Sequence, residues 1–258
     1  MHSYVNNFLK YKDLLFELIK KDIKIKYKNS VLGIIWSMLN PLLIMIVLTI
    51  VFSAFFKNHI ANFPVYVLTG RLMYQFFSES TNFAMDSIVS NGNLIRKVYV
   101  PKYFFPISRV CSSFVTTLLA IVPLLLVMLL TNMQFSWINL LAIFPLLYLL
   151  LISAGVGLLL SSINLFFRDM KHLYSVVLMV VMYMTPIFYP ASIISDKYIA
   201  LIKLNPLFTI VEMFRDVVMY QQIPSVGSHL LCLGYAVFYC AVGLVVFAKT
   251  QDRFIFHL

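Results

Sequence analysis

The chain has 258 residues, of which 61% are hydrophobic and 12% are charged, and its mean hydropathy is +0.90. Soluble domains usually carry about 25% charged residues, and a soluble fold of this length could not bury so much apolar surface. The composition therefore excludes a soluble protein and predicts an integral membrane protein. Lysine and arginine outnumber the acidic residues by 20 to 10, but they lie in short clusters between apolar runs, so nucleic acid is not an expected partner.

The first thirty residues predict an amphipathic helix that lies on the membrane surface, as a unit separate from the membrane domain at 31–258. Its apolar residues share one arc of a helical wheel, and most of its seven lysines share the other. Asp22 interrupts the apolar arc, where Lys26 at i+4 is one candidate partner. The chain then turns into the bilayer near Gly33 and Trp36, and the simpler interpretation of Trp36 is an interface anchor.

Six transmembrane helices are predicted from the apolar runs, because a span needs roughly 20 apolar residues. The predicted spans are 31–56, 64–90, 104–130, 138–166, 172–190 and 229–248. The second is the least apolar, and the fifth is short and ends at Pro186 and Pro190, which break or kink a helix. In the fourth, the small residues Ser153, Gly157 and Ser161 are interpreted as helix-packing positions.

The positions of the basic residues predict the orientation of these spans. Fifteen of the 20 lysines and arginines flank one set of span ends, which includes both termini, and four flank the other set. Basic residues accumulate on the cytoplasmic side of membrane proteins, so both termini are expected in the cytoplasm. This arrangement requires an even number of spans, which agrees with six.

The segment 191–228, between the last two spans, is expected on the external side and is too apolar for a solvated loop. Asn205 is a suitable helix cap, and Pro206 suits the first helical position. Apolar residues then recur at helical spacing as far as Val218. We interpret this stretch as short re-entrant helices whose ends must be covered by protein.

Polar residues in the second span are candidates for function, since ionisable groups inside a membrane are costly. Gln75, Glu79, Asn82 and Asp86 recur at intervals of four, three and four residues and therefore share one face. Two interpretations stay open: a buried structural seam, or a lining for a hydrophilic substrate. Arg71 could pair with Glu79 only if the two side chains bend toward each other.

Recognisable catalytic and nucleotide-binding motifs are absent from the sequence. It has no phosphate-binding glycine loop, its five histidines are scattered, and its three cysteines lie in apolar runs without a CxxC motif. We therefore predict no catalytic residue, no metal site and no cofactor in this chain. Cys111, Cys232 and Cys240 are interpreted as small buried hydrophobic residues.

A predicted cytoplasmic loop at 90–106 mixes apolar and basic side chains within one short segment. Leu94 and Ile95 stand beside Arg96 and Lys97, and Pro101 ends the segment. Such a segment can dock on a cytosolic partner, and a solvated basic loop is the alternative interpretation.

The run from Asp22 to Pro41, DIKIKYKNSVLGIIWSMLNP, resembles the signature of the membrane subunit of ABC-2 type polysaccharide exporters. The similarity continues in the same order through the loop from Leu94 to Pro101, NLFFRD at 164–169, TPI at 185–187 and Asn205-Pro206. The resemblance implies a multi-pass permease that exports O-antigen, capsule or teichoic acid across the cytoplasmic (inner) membrane.

The resemblance also implies partners. Two copies of the chain would form the channel as a homodimer, and two copies of a separate ATPase would bind beneath it and hold ATP and magnesium. The residues implied in coupling to the ATPase are Asp22 and Lys24 in the first helix and Leu94, Ile95, Arg96 and Lys97 in the loop 91–103. The lipid-linked polysaccharide would engage the basic surface around Lys24, Lys26 and Lys28, among membrane lipids.

Channel and gate residues are implied by the same resemblance. The side chains implied in the substrate path are Trp36, Tyr66, Arg71, Tyr74, Phe77, Glu79 and Phe104. The external gate at 191–228 and its approach include Pro186, Pro190, Asn205 and Pro206. Arg71 departs from the family pattern, which has an apolar residue there, and it could neutralise an anionic substrate group or pair with Glu79.

The expected function is the membrane-spanning subunit of an ABC exporter for a lipid-linked polysaccharide, without an ATPase site of its own. Three alternatives remain. They are an ABC-2 permease for a drug or small lipid, a membrane-embedded transferase acting on lipid-linked sugars, and a passive pore or ion-coupled carrier. No inverted-repeat similarity is visible in the sequence, which argues against a carrier.

Overall fold

The computed structural model describes residues 2–28, 30–56, 60–193 and 196–258, and these residues form helices without a β-strand. The helices are α1 (His2–Lys26), α2 (Trp36–Phe56), α3 (Phe63–Met85), α4 (Ser87–Ser90), α5 (Gly92–Lys97), α6 (Phe104–Leu130), α7 (Ile143–Phe166), α8 (Met170–Met184), α9 (Asp196–Lys203), α10 (Pro206–Val218), α11 (Val226–Thr250) and α12 (Phe254–His257). Short 3₁₀ turns occur at Gly33–Ile35, Trp137–Ala142, Ala191–Ile193 and Gln251–Arg253. The prediction of an all-α fold is confirmed.

Four segments of the described chain are long and apolar enough to cross a membrane. They are Gly33–Ser53, Phe104–Leu130, Trp137–Phe166 and Val226–His257. They contain most or all of α2, α6, α7 and α11 and correspond to the first, third, fourth and sixth predicted spans. The other two predicted spans are α3, which carries many polar residues, and α8, which has only 15 residues. That α3 and α8 cross the membrane therefore stays a prediction.

α3 lies at the centre of the bundle, although it is less apolar than the four segments above. Sixteen of its 23 residues are buried. It packs between α6 and α7 and also contacts α2 and α10. A charged side chain such as Arg71 or Glu79 costs about 3 kcal/mol or more against lipid, so a helix that carries both is more stable when it faces protein.

α7 and α11 pack together so closely that their backbones touch. A Cβ atom on Gly155 would collide with the backbone of α11, and one on Gly243 would collide with the backbone of Gly155. Two helices approach this closely only where the residues at the crossing are small. Ser153 and Ser161 are also fully buried, and Gly157 packs against α3. The interpretation of this stretch as a packing surface is confirmed.

α8 ends at Met184, and the next residue, Thr185, is extended. A proline disfavours the helical conformation of the residue before it, and Pro186 directly follows Thr185. The predicted break in this helix is confirmed. It leaves the backbone carbonyl groups of Pro186 and Ile187 outside any helix, which matters below.

α1 packs along the beginning of α6, at what we call the α1 end of the bundle. Leu18 is buried there in a cluster that includes Ile95, Phe104, Phe247 and Phe254. A helix at the predicted position is confirmed, and Tyr11, Leu14, Leu15 and Leu18 of its apolar face contact protein. That it lies on a membrane surface stays a prediction. Its charged face points away from the bundle.

α9 and α10 lie at the opposite, α10 end of the bundle. The side chain of Asn205 accepts a hydrogen bond from the backbone N–H of Leu207 (3.0 Å), and Pro206 occupies the first turn, as predicted. Most of α10 is buried against α3, α7 and the 3₁₀ turn Trp137–Ala142. The predicted helix at this position is confirmed, whereas its re-entrance into the membrane stays a prediction.

Candidate functional site

A polar cleft opens between α1, α2, α3 and α6, toward the α1 end of the bundle. It has a volume of about 110 Å³, enough for a few water molecules at roughly 30 Å³ each. Its lining residues are Lys26, Tyr27, Trp36, Ser37, Asn40, Leu72, Gln75, Glu79, Thr116, Thr117 and Ala120. Most of these side chains carry hydrogen-bonding groups, which is uncommon for a cleft between predicted membrane spans.

An ion pair between Lys26 and Glu79 crosses the cleft. The lysine lies at the end of α1 and donates to the glutamate of α3, and about a quarter of each side chain is exposed. From the sequence, Lys26 was a candidate partner for Asp22, and Arg71 was a candidate partner for Glu79. The structure instead joins the amphipathic helix to the polar face of the central helix.

Two of the residues that line the cleft each carry a buried polar atom with no hydrogen-bond partner among the described residues. These atoms are the hydroxyl of Tyr27 and the side-chain carbonyl oxygen of Gln75. Buried polar groups are nearly always paired, so these two groups are available to water or to a polar ligand. With Lys26 and Glu79 beside them, the cleft offers donors and acceptors of the kind that hydroxyl-bearing ligands require.

Asp22 lies beside the cleft and is tied to α6. Its carboxylate is 3.3 Å from the Arg109 guanidinium, and the Ser108 hydroxyl donates to it at 3.4 Å. The proposed i+4 partner Lys26 was therefore wrong. Burial raises the pKa of Asp22 above its usual value, and the attraction of Arg109 offsets this only in part.

At the α10 end, one arginine holds three elements together. Arg215 of α10 is buried and donates to the carbonyl oxygens of Pro186 (2.8 Å), Tyr66 (3.0 Å) and Ile187 (3.2 Å). Its guanidinium also lies 3.4 Å from the centre of the Tyr66 ring. The carbonyl groups that the break after α8 exposes are thereby paired, as buried backbone groups must be. Gly70 leaves room for this arginine, because a Cβ atom there would lie 2.6 Å from the guanidinium and 3.2 Å from the Cα atom of Ile187.

The predicted gate residues meet around this arginine. Asn205 donates from its side-chain amide to the Thr185 hydroxyl (2.9 Å), and the Tyr66 hydroxyl donates to the carbonyl oxygens of Tyr189 (3.0 Å) and Pro186 (3.3 Å). Pro190 is buried and begins the 3₁₀ turn that follows. The structure thus joins Tyr66, Asn205 and Arg215 to the segment 185–189, which contains the predicted gate residue Pro186.

The predicted docking segment at the α1 end is a short helix, α5, and not an extended loop. Ile95 is buried and Leu94 is partly buried against the bundle, whereas Arg96 and Lys97 are exposed. The apolar pair therefore fixes α5 in place, and the basic pair projects from it. Lys24 of α1 is exposed at the same end, but Asp22 is only 3% exposed.

Comparison with known proteins identifies the family. Residues 13–219 match the ABC-2 type transporter family. This chain belongs to the ABC-2 type transporter family. The prediction of this family from the sequence is confirmed.

Similar proteins extend over nearly the whole chain. The O-antigen export system permease protein RfbA of Klebsiella pneumoniae is 33% identical, with 94% of this chain and 93% of that protein covered. The protein of the same name from Myxococcus xanthus is 27% identical, with 98% of each chain covered. The polysialic acid transport protein KpsM of Escherichia coli is 24% identical, with 89% of this chain and 88% of that protein covered.

Most path residues predicted for this ABC-2 transporter lie outside the cleft. Only Trp36 and Glu79 line it. Tyr74 is buried and donates to the carbonyl oxygen of Leu178 (3.0 Å), and Phe77 lines a separate, mainly apolar cavity. Phe104 is fully buried and stacks on Tyr103, with ring centres 4.7 Å apart. A role for these aromatic residues in a path stays a prediction.

Arg71 is half-buried and pairs with no acidic residue in the described part of the chain. Its guanidinium lies 5.7 Å from the centre of the Tyr74 ring, and its Nε atom is buried without a hydrogen-bond partner. Because Glu79 pairs with Lys26, the alternative of an Arg71–Glu79 pair was wrong. The other alternative, an anionic substrate group, stays open.

The predicted polar face of α3 divides into two sites. Gln75 and Glu79 line the cleft, whereas Asp86 turns to α7 and α8, where it contacts Lys171 (2.7 Å) and accepts from Asn164 (3.2 Å). Asn82 is exposed and the Asp86 side chain is 45% exposed, so the buried-seam interpretation does not describe the whole face. A role for Gln75 and Glu79 in lining a substrate path stays a prediction.

Arg215 is the residue of the contact region at the α10 end that the sequence analysis did not single out. It follows Phe208 by seven residues and Val211 by four, so it lies on the apolar face of α10. An arginine on an apolar helical face is a signal of a buried partner, and that signal was present in the sequence.

Proposed function

We propose that this ABC-2 transporter is the membrane-spanning permease subunit of an exporter for a lipid-linked polysaccharide. The observation that carries the proposal is the similarity to the O-antigen export permease of Klebsiella pneumoniae, at 33% identity over 94% of the chain. Two copies would form the channel, and two copies of a separate ATPase would supply ATP hydrolysis with magnesium. In this proposal the chain is not an enzyme and holds no cofactor.

The proposed topology has six spans, with both termini and the α1 end in the cytoplasm. α3 has 23 residues, about 34 Å of helix at 1.5 Å per residue, which is long enough to cross a bilayer core of roughly 30 Å. α8 is shorter than a bilayer core requires, and the non-helical segment after Met184 is proposed to complete this span. The unequal distribution of basic residues supports this orientation.

The cleft is proposed as the cytoplasmic beginning of the substrate path. Beside it, an open groove between α1 and the start of α2 has an apolar floor with Ile23 and Ile34. Lys20, Lys24 and Lys28 also line this groove. An isoprenoid-like chain would suit the floor, and its phosphate groups would suit the lysines. The first sugars would then meet the polar side chains of the cleft.

The remaining path residues are proposed to act during the transport cycle. Tyr66, Tyr74, Phe77 and Phe104 are buried in this conformation, so access to them requires the helices to separate. Arg71 is more accessible and would attract an anionic group on the glycan. Around Arg215, the region 191–228 is proposed as the external gate, which opens when α10 moves away from the segment after α8.

A cellular experiment tests the proposed function. In a strain whose chromosomal copy is depleted, lipid-linked glycan should accumulate inside the cell, and surface glycan should disappear. Both effects should be reversed when the gene is restored. Normal surface glycan in the depleted strain, with accumulation of a drug or of a small lipid instead, would contradict the proposal.

A further inference from the structure

A second cleft, at the α1 end, is formed by three segments that are far apart in the sequence. They are the stretch from α4 to α5, the turn after α7 and the last residues of the described chain. The lining residues are Val89, Ser90, Gly92, Asn93, Arg96, Leu165, Arg168, His257 and Leu258. It is separate from the polar cleft described above and shares no residue with it.

The side chains that line this second cleft favour an anionic ligand. Arg96 and Arg168 are exposed at its rim with His257, and no acidic side chain is among its lining residues. Ser90 and Asn93 add hydroxyl and amide groups. A carboxylate is well matched to two guanidinium groups and an amide donor.

Large apolar residues flank the same cleft. Phe167, which precedes Arg168, is 70% exposed, and Phe256, which precedes His257, is 85% exposed. Val98 and Tyr99, which follow α5, are exposed as well. Exposed aromatic residues beside arginines are typical of the centre of a protein–protein interface.

The C-terminal segment is fixed on the bundle, so these residues are held in position. Phe254 is fully buried, with its ring centre 5.2 Å from that of Phe247, and Lys102 donates to the backbone carbonyl oxygen of Gln251 at 2.6 Å. The side chain of Leu258 covers Gly92, where a Cβ atom would lie only 3.1 Å away. The chain therefore turns back over α5 after α11 and joins the surface that α5 presents.

We infer that the ATPase docking surface is composite. In addition to α5, it comprises Phe167 and Arg168 of the turn after α7, and Phe256 and His257 of the C-terminal segment. An acidic side chain of the ATPase subunit occupies the cleft between Arg96 and Arg168, and apolar residues of the ATPase cover Phe167 and Phe256. The inference rests on the proposed function, because it requires a separate ATPase partner.

Arg168→Glu tests the inference in the permease–ATPase complex purified in detergent. The variant should reduce co-purification of the ATPase at least about tenfold, as expected when a charge in an interface is reversed. Phe256→Ala should reduce it in the same direction. Arg253→Glu is the matched control, because Arg253 is exposed on the same segment but does not line the cleft. Its co-purification should equal that of the wild-type chain.

The outcomes separate the inference from the proposed function. If the ATPase co-purifies equally with the wild-type chain and with Arg168→Glu, the composite surface is overturned and the proposed function stays intact. An absence of ATPase binding by the wild-type chain would overturn both. The complex is also reconstituted in vesicles with and without anionic lipid, and a third outcome is a loss of ATPase binding that appears only in the anionic vesicles. It would assign the cleft to lipid headgroups and overturn the inference. Equal amounts of monodisperse permease for each variant establish that folding is unchanged.

Discussion

At the scale of single residues, the Lys26–Glu79 pair carries the candidate site. The pair is partly buried, and a partly buried carboxylate is costly when its partner is removed. The pair therefore has a structural role, and Lys26 also has the charge that a phosphate would require. These two roles can be separated by experiment.

Lys26→Met should lower both the folded yield and glycan export, because Glu79 is left without a counter-ion. Adding Glu79→Gln should restore the yield, since it removes the unpaired charge, but export should stay at least about tenfold below wild type if Lys26 contacts the substrate. Detergent-solubilised yield and surface glycan are the measurements. Lys12→Met, an exposed lysine of the same helix, should change neither. Full export by the double variant would contradict a substrate role for Lys26.

Asp22 and Arg109 test how α1 is held on the bundle. Arg109→Met leaves a buried carboxylate without its cation and should cost about 3 kcal/mol of stability near neutral pH. Burial already raises the pKa of Asp22, and the loss of Arg109 raises it further. When the pKa of a carboxyl group is raised in the folded state, the charged carboxylate destabilises the fold at high pH. This destabilisation is lost as the pH falls and the carboxylate takes up a proton. The loss of thermal stability relative to wild type should therefore shrink as the pH is lowered from neutral toward the ordinary pKa of an aspartate carboxyl group. A deficit that is constant with pH would contradict this account.

At the scale of helices, the contact between α7 and α11 depends on glycine. Gly155→Ala should reduce the folded yield strongly, because the added methyl group collides with the backbone of α11. Gly234→Ala is the control, since no atom lies within 4 Å of the added Cβ and alanine favours a helix by about 1 kcal/mol. Its melting temperature should be equal to that of the wild-type chain or higher. Equal melting temperatures for both variants would show that the two helices do not pack as described.

Features that depend on neighbouring residues were predictable from the sequence, and features that depend on distant contacts were not. The cap at Asn205, the break before Pro186 and the bounds of α6 follow from local chemistry. The partner of Asp22 is Arg109, which is far away in the sequence, and a helical wheel shows only nearby candidates such as Lys26. The same reason explains why the partners of Arg215, on α3 and after α8, and the return of the C-terminal segment over Gly92 were not foreseen.

At the scale of the whole molecule, the six-span topology depends on α3 and α8. Single cysteines introduced in place of Lys12 and Arg253, in a chain without its native cysteines, should react with an impermeant reagent only after the cells are opened. Cysteines in place of Phe135 and Ile223, which are exposed near the α10 end, should react in intact cells. Labelling of residues 12 and 253 on opposite sides of the membrane would contradict an even number of spans.

The proposed coupling surface lies at the α1 end of the bundle, the polar cleft opens toward that end, and the proposed gate lies at the α10 end. The ATPase would act on α5 at one end, and the contacts of Arg215 would open at the other. Because the chain itself provides no motif for nucleotide binding, the energy for this movement is assigned to the partner subunit.

The most direct test is transport by purified components. Proteoliposomes that contain this chain and its ATPase subunit should move a lipid-linked polysaccharide across the membrane only when ATP and magnesium are supplied on the ATPase side. Proteoliposomes that contain this chain alone should neither hydrolyse ATP nor transport. ATP hydrolysis or glycan movement by the isolated chain would contradict the account.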